Sequence, residues 1–135
     1  MMRIVLDTNI LISGLLYIGK PKKLIDLALN GKIQIVSSAD IIDEFKGVVS
    51  REKFKLEREE QAQLVSFVVR ISHIVSLKGK FRVVKEDPDD DMVIGTAYDG
   101  KASYIVSGDK HLLKIKEFAG IKIVTANQML NLIGA

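Results

Sequence analysis

The sequence predicts an α/β fold: one domain over residues 1–135, with a parallel sheet of four to five strands covered by helices on both faces. Three observations carry this expectation. Short apolar runs rich in Ile and Val recur at residues 3–6, 33–36, 74–77, 102–106 and 121–124. Segments of helical period separate them, with short joins. The first and central run, Ile4-Val5-Leu6, is apolar at consecutive positions rather than alternating, as a strand buried on both faces must be.

Composition sets the outer bounds. A chain of 135 residues with 47% hydrophobic content suits a single domain with one core. The absence of Cys excludes disulfides and thiolate metal ligands, and fits a reducing cytoplasm. The N-terminal apolar run is cut by Asp7, and the run Ile10–Ile18 contains Ser13 and Gly14 and is too short to span a bilayer. Neither reads as a signal peptide, so the expectation is a cytoplasmic protein without a membrane partner. A net charge of +3 permits nucleic-acid binding without establishing it.

In order along the chain, residues 3–6 form a central strand that delivers Asp7 to the carboxyl edge of the sheet. That edge is where ligands bind in open α/β sheets. The plainer role for Asp7 is an N-cap for the helix expected over residues 9–17. Pro21 suits the first turn of a second helix, whose stripe is Leu24, Ile25, Leu27 and Ala28 and whose end is Asn30-Gly31. After the strand 33–36, Ser37 opens a third helix with Asp40 completing a capping box. Its apolar stripe is Ile41, Ile42, Phe45, Val48 and Val49, and Glu44 falls just beside that stripe, at the edge of the core. A charged connection, residues 51–60, precedes an amphipathic helix built on Leu64, Val65, Phe67, Val68 and Ile71, then the strand 74–77.

The stretch Asp87–Ala97, DPDDDMVIGTA, is the most acidic in the chain. Pro88 sits at a first helical position, which makes Asp87 the N-cap and places Asp89, Asp90 and Asp91 in the first turn. Acids there are favoured by the helix dipole whatever their role. The helix is expected to bury Val93, Ile94, Ala97 and Tyr98, and Asp90 continues that buried arc past the helix start. The strand 102–106 then ends in Ser107-Gly108-Asp109, repeating the strand-then-carboxylate pattern of Asp7, with Asp109 able to cap a helix over residues 110–116. The last strand, 121–124, leads to Thr125, a cap for a short helix over residues 128–133.

Two strands ending in Asp, a helix start carrying Asp90 and a helix edge carrying Glu44 can meet at one sheet edge. Carboxylates a few ångströms apart repel, and a cation relieves the repulsion. Oxygen ligands alone select a hard metal, Mg²⁺ or Mn²⁺. Such a centre can activate water and brace the leaving oxygen in a phosphoryl displacement.

The pieces LDTN at Leu6–Asn9, Glu44 in ADIIDEF, DPDDD followed by Ala97, and VSGDKHLL at Val106–Leu113 occur in an order and spacing that resembles the PIN-domain family of metal-dependent ribonucleases, and in particular its small VapC-like toxins. The resemblance covers essentially the whole chain. It implies a three-layer α/β/α sandwich and an acidic quartet of Asp7, Glu44, Asp90 and Asp109, with Asp87 and Asp91 as reserves for Asp90. It places Thr8, Asn9 and Ser107 where hydrogen bonds hold the acids. It implies Mg²⁺ or Mn²⁺ as cofactor, RNA as substrate, a small antitoxin as partner and a homodimer. Asp7→Asn is then expected to abolish cleavage and leave the fold intact or stabilised. Lys85, Lys110 and His111 are candidate substrate contacts, and Lys20, Lys22, Lys23 and Arg82 lie in segments that can rim the same cleft. His73 reads as structural.

One rival family also begins with a strand that ends in Asp, and a second shares the acids, the Mg²⁺ and the sheet logic. A haloacid-dehalogenase-like phosphatase needs a second Asp at position 9, where this chain has Asn9. A receiver-like, Mg²⁺-binding signalling module gives no role to Glu44 or Asp109. A third possibility is a binding module with a vestigial site acting through its partner, which the presence of all four acids argues against; within the family, the alternative is a PIN-domain RNA-processing nuclease outside any toxin–antitoxin pair.

Overall fold

The structure, a computed structural model, describes residues 1–76 and 88–135. In chain order the elements are β1 (Met2–Leu6), α1 (Thr8–Leu16), α2 (Lys20–Leu29), β2 (Ile33–Ser38), α3 (Ala39–Val49), a 3-10 turn (Glu52–Phe54) and α4 (Arg58–Ile71). They continue with β3 (Ser72–Val75), α5 (Pro88–Asp99), β4 (Tyr104–Val106), α6 (Lys110–Ile115), β5 (Glu117–Phe118), β6 (Ile121–Val124) and α7 (Ala126–Ile133). The strands form one six-stranded sheet in the order β3-β2-β1-β4-β6-β5. Five strands run parallel; β5 alone pairs antiparallel, in a two-residue hairpin with β6 at the sheet's edge.

Burial explains why β1 is continuously apolar. Ile4, Val5 and Leu6 are all within 1% of complete burial, so both faces of the central strand are covered. On one side α1 packs against α2 and α3, α3 against α4, and α2 against α7. Separately, α5 crosses β2, β1 and β4, while α6 packs on β6. Two glycines let this packing close. A Cβ on Gly14 in α1 would lie 2.9 Å from Ile25 Cγ1 and 3.0 Å from the Pro21 carbonyl oxygen, both in α2. A Cβ on Gly100, just after α5, would collide with Val36 Cγ1 of β2.

Some boundaries differ from the sequence reading, each for a tertiary reason. Ser37 does not start α3. Ser37 and Ser38 extend β2 because they pair with Ile74 and Val75 of β3, so Ser38 is the N-cap and its hydroxyl accepts from the Ile41 amide. Strand β3 begins at Ser72, directly after α4, on polar residues that carry no strand pattern. Tyr98 is not in the core. It is 51% exposed and meets Phe118 edge-on, with ring centroids 6.5 Å apart, while Gly95 and Thr96 are buried instead. Thr125 caps α7 as expected, in a reciprocal capping box with Gln128.

Candidate active site

The sheet order places a topological switch point between β1 and β4. From β1 the chain moves outward to β2 and β3; from β4 it moves the other way, to β6 and β5. The connections leaving β1 and β4 diverge, and a crevice is left beyond their carboxyl ends. Asp7 and Ser107 are the residues that stand there, one step past the paired Leu6 and Val106. The Asp7 amide donates to the Val106 carbonyl oxygen at 3.0 Å, so the parallel register continues through this step.

Asp7 is only 6% exposed. As the N-cap of α1 it accepts from the Thr8 amide at Oδ1, 2.7 Å, and its carbonyl oxygen accepts from the Ile10 and Leu11 amides. The capping role is thus observed for Asp7 at the same edge where the crevice lies. At Oδ2 it accepts from Ser107 Oγ, also at 2.7 Å. The same serine oxygen accepts from the Asp109 amide at 3.0 Å. Asp109 in turn caps α6, with Oδ1 accepting from the His111 amide at 2.7 Å. One hydroxyl thus links the turn after β1 to the turn after β4. Strand alternation puts Asp7 on the face of Val5, Val36, Ile105 and Ser107. That is the face covered by α5, since Gly100 lies against Val36.

The direction of α5 follows from two contacts. Thr96 Oγ1 lies 2.8 Å from Ser38 Oγ at the carboxyl end of β2. Gly100 lies against Val36, nearer the middle of the same strand. Helix α5 therefore runs antiparallel to β2, and its first turn extends past the carboxyl edge of the sheet. At 1.5 Å per residue, Asp90 lies about 9 Å further along the axis than Thr96. Asp91, at the same helix start, is half-buried. Glu44 is half-buried in α3, as its position beside the apolar stripe predicted.

Asn9 is exposed in the first turn of α1, and Thr8 supports Asp7 through its backbone amide. The Thr8 hydroxyl is buried and has no hydrogen-bond partner among the described residues. Lys110 and His111 are exposed at the start of α6, immediately after Asp109, and His73 is exposed on β3. Lys20 Nζ donates to Asn127 Oδ1 at 2.6 Å, and Lys22 pairs with Asp26 at 3.2 Å, so both engage local partners. Arg82, Lys85 and Asp87 lie outside the described residues, as does the side chain of Asp90. Among the described residues no three His, Asp or Glu side chains form a group that could hold a metal ion; the expected quartet includes Asp90. The Ser38–Thr96 pair was missed by the sequence reading. No local signal in the sequence marks it, because its two residues lie 58 apart.

The chain is an α/β protein with a mostly parallel sheet and carboxylates at its switch point, the carboxyl edge of β1 and β4. The PIN-domain family model matches residues 3–111, and the chain belongs to that family of nucleases. No curated protein sequence matches the chain. Solved structures share its fold. A chain of VapBC2 from Rickettsia felis, bound to a DNA fragment from its promoter, is 15% identical with a TM-score of 0.64, over 90% of this chain and 97% of that one. PAE2754 from Pyrobaculum aerophilum is 15% identical with a TM-score of 0.64, over 98% and 90%. DNA-bound VapBC from Salmonella typhimurium is 16% identical with a TM-score of 0.62, over 93% and 99%. The receiver-like alternative fails on topology: receivers have the order 2-1-3-4-5, whereas here β2 and β3 both lie on the same side of β1.

Proposed function

We propose that this protein is a divalent-metal-dependent endoribonuclease and the toxin of a toxin–antitoxin pair. The observation that carries the reading is the Ser107 hydroxyl joining Asp7 and Asp109 at the switch point, with the acidic start of α5 extending over the same edge. The donor set fits a hard cation. It is all oxygen, Asp7 is held by two hydrogen bonds, and a buried hydroxyl beside it, Thr8 Oγ1, lacks a partner among the described residues. Asp7, Asp90 and Asp109, with Glu44, are the residues that would hold Mg²⁺ or Mn²⁺, Asp87 and Asp91 being the reserves. When bound, the ion supplies charge neutralisation at the phosphate and a more acidic water.

The protein's own groups then have distinct tasks. Glu44 orients the water for attack on phosphorus opposite the 3′ oxygen. The new bond is water oxygen to phosphorus; the bond that breaks is phosphorus to O3′. The products are a 5′-phosphate and a 3′-hydroxyl. Lys110 and His111, exposed beside Asp109, would meet the RNA backbone. Ser107 keeps Asp7 and the start of α6 in register throughout.

The toxin assignment rests on the likeness to the VapBC structures of Rickettsia felis and Salmonella typhimurium. It carries with it a small antitoxin as partner, a homodimer and a cytoplasmic location. Among the described residues no helix is long and apolar enough to cross a membrane. The test is incubation of the purified protein with single-stranded RNA and Mn²⁺, with and without EDTA. Cleavage that EDTA stops, giving 5′-phosphate ends, supports the reading; no cleavage, or cleavage indifferent to EDTA, contradicts it. A small antitoxin-like reading frame directly upstream separates a toxin from an RNA-processing nuclease.

A further inference from the structure

We propose that Ser38 and Thr96 are positioning residues that lock the Glu44-bearing helix to the acid-bearing start of α5, so that the site's acids keep one mutual geometry. The proposal rests on the nuclease reading above and goes beyond it, because neither residue belongs to the acidic set.

Three hydrogen bonds form a chain. The Ile41 amide donates to Ser38 Oγ at 3.4 Å, Ser38 Oγ lies 2.8 Å from Thr96 Oγ1, and Thr96 Oγ1 donates to the Met92 carbonyl oxygen at 2.8 Å. A hydroxyl has one proton. Thr96 commits its proton to Met92, so Ser38 must be the donor in the middle bond. The direction is fixed from end to end, and every group in the chain has a partner. Ser38 and Thr96 are 1% and 0% exposed, so water does not compete for these bonds.

The two ends of the chain carry the consequence. Ile41 lies in the first turn of α3, one turn before Glu44. Met92 is the residue after Asp91, in the turn that leaves the acidic helix start. The link spans 58 residues of sequence and joins two helices on which half of the acid set is mounted. Val93, Ile94 and Ala97 of α5 are buried in apolar contacts, which resist sliding weakly because dispersion has little directionality. A directed hydroxyl bond at the sheet's carboxyl edge fixes the axial position of α5. Continuing the β1–β2 register past Val5–Val36 places Ser38 level with Asp7. The brace therefore stands beside the carboxylate that the helix start must meet.

The decisive variant is Thr96→Val, which keeps the shape and leaves the Ser38 cap in place. Outer groups that orient ligands typically change metal affinity by 10- to 100-fold. Thr96→Val is expected to weaken Mn²⁺ binding by about tenfold and to lower kcat while KM for RNA stays level. Hydrogen exchange in metal-free protein should be faster in the first turn of α5. Thr96→Ser restores all three. Ser38→Ala reproduces the loss, and the double variant is no worse than the poorer single one. Should Thr96→Val fail to fold, Ser38→Ala against Ser38→Thr makes the same comparison. A lowered melting temperature with unchanged Mn²⁺ affinity and kcat overturns the proposal. If the wild type neither binds Mn²⁺ nor cleaves RNA, the nuclease reading falls and the proposal with it. If the wild type is active, Asp7→Asn is dead and Thr96→Val is unchanged, only the brace is wrong.

Discussion

Ser107 Oγ donates to Asp7 Oδ2 at 2.7 Å while accepting from the Asp109 amide, so a single hydroxyl aligns two carboxylate-bearing turns 100 residues apart. A hydrogen bond to a charged group contributes about 1.5–3 kcal/mol. Ser107→Ala removes the bond on Asp7 and leaves the Asp109 amide without this acceptor. It is expected to destabilise the protein by about 1–3 kcal/mol in denaturant melts. Mn²⁺ affinity should fall in parallel, because Asp7 loses the contact that fixes its second oxygen.

Asp109 invites a separation of roles. Its Oδ1 caps α6, and replacing a capping Asp by Ala costs about 1 kcal/mol. Asn caps a helix as well as Asp does, but carries no charge. Asp109→Asn should therefore keep the melting temperature and lose Mn²⁺ affinity and RNA cleavage, whereas Asp109→Ala loses both kinds of property. An Asp109→Asn variant that cleaves like wild type would reduce Asp109 to a cap.

For Asp7→Asn the structure tempers the expectation of a stabilised fold. Both carboxylate oxygens accept hydrogen bonds, from the Thr8 amide and from Ser107. An Asn side chain has one acceptor oxygen, so one of these bonds must be given up or reversed. Relief of charge repulsion is set against the loss of a bond to a charged group, about 1.5–3 kcal/mol. The variant should stay folded, melt within a few degrees of wild type and show no RNA cleavage; circular dichroism and the RNA assay check the two halves.

Gly14→Ala probes the packing beneath the site. Alanine is worth about 1 kcal/mol in helix propensity over glycine. Against that, its methyl would sit 3.0 Å from the Pro21 carbonyl, a backbone atom that cannot swing aside. Overpacking costs about 1–3 kcal/mol, so the net expectation is a lowered melting temperature with Mn²⁺ affinity retained.

The sequence made some of this legible and hid the rest for physical reasons. The central strand and Asp7 could be read because burial on both faces demands an unbroken apolar run, and Ile4, Val5 and Leu6 supply it. The caps at Asp109 and Thr125 could be read because N-capping is local. The start of α3 could not, since Ser37 and Ser38 are equally good caps and only pairing with β3 decides between them. Tyr98 was read as core because its spacing fits the stripe of Val93, Ile94 and Ala97; its ring instead meets Phe118 of β5, a strand too short to show in any pattern. The Ser38–Thr96 bond is a contact between distant residues of unremarkable type. No local rule points to it.

Manganese binding followed by electron paramagnetic resonance shows whether acids from separate elements form one cation site. Free Mn²⁺ is titrated with wild-type protein, Asp7→Asn and Asp109→Asn. If they do, wild type gives saturable loss of the free-ion signal, and each variant a large reduction of that loss. Equal loss with all three proteins, or none with wild type, would contradict such a site.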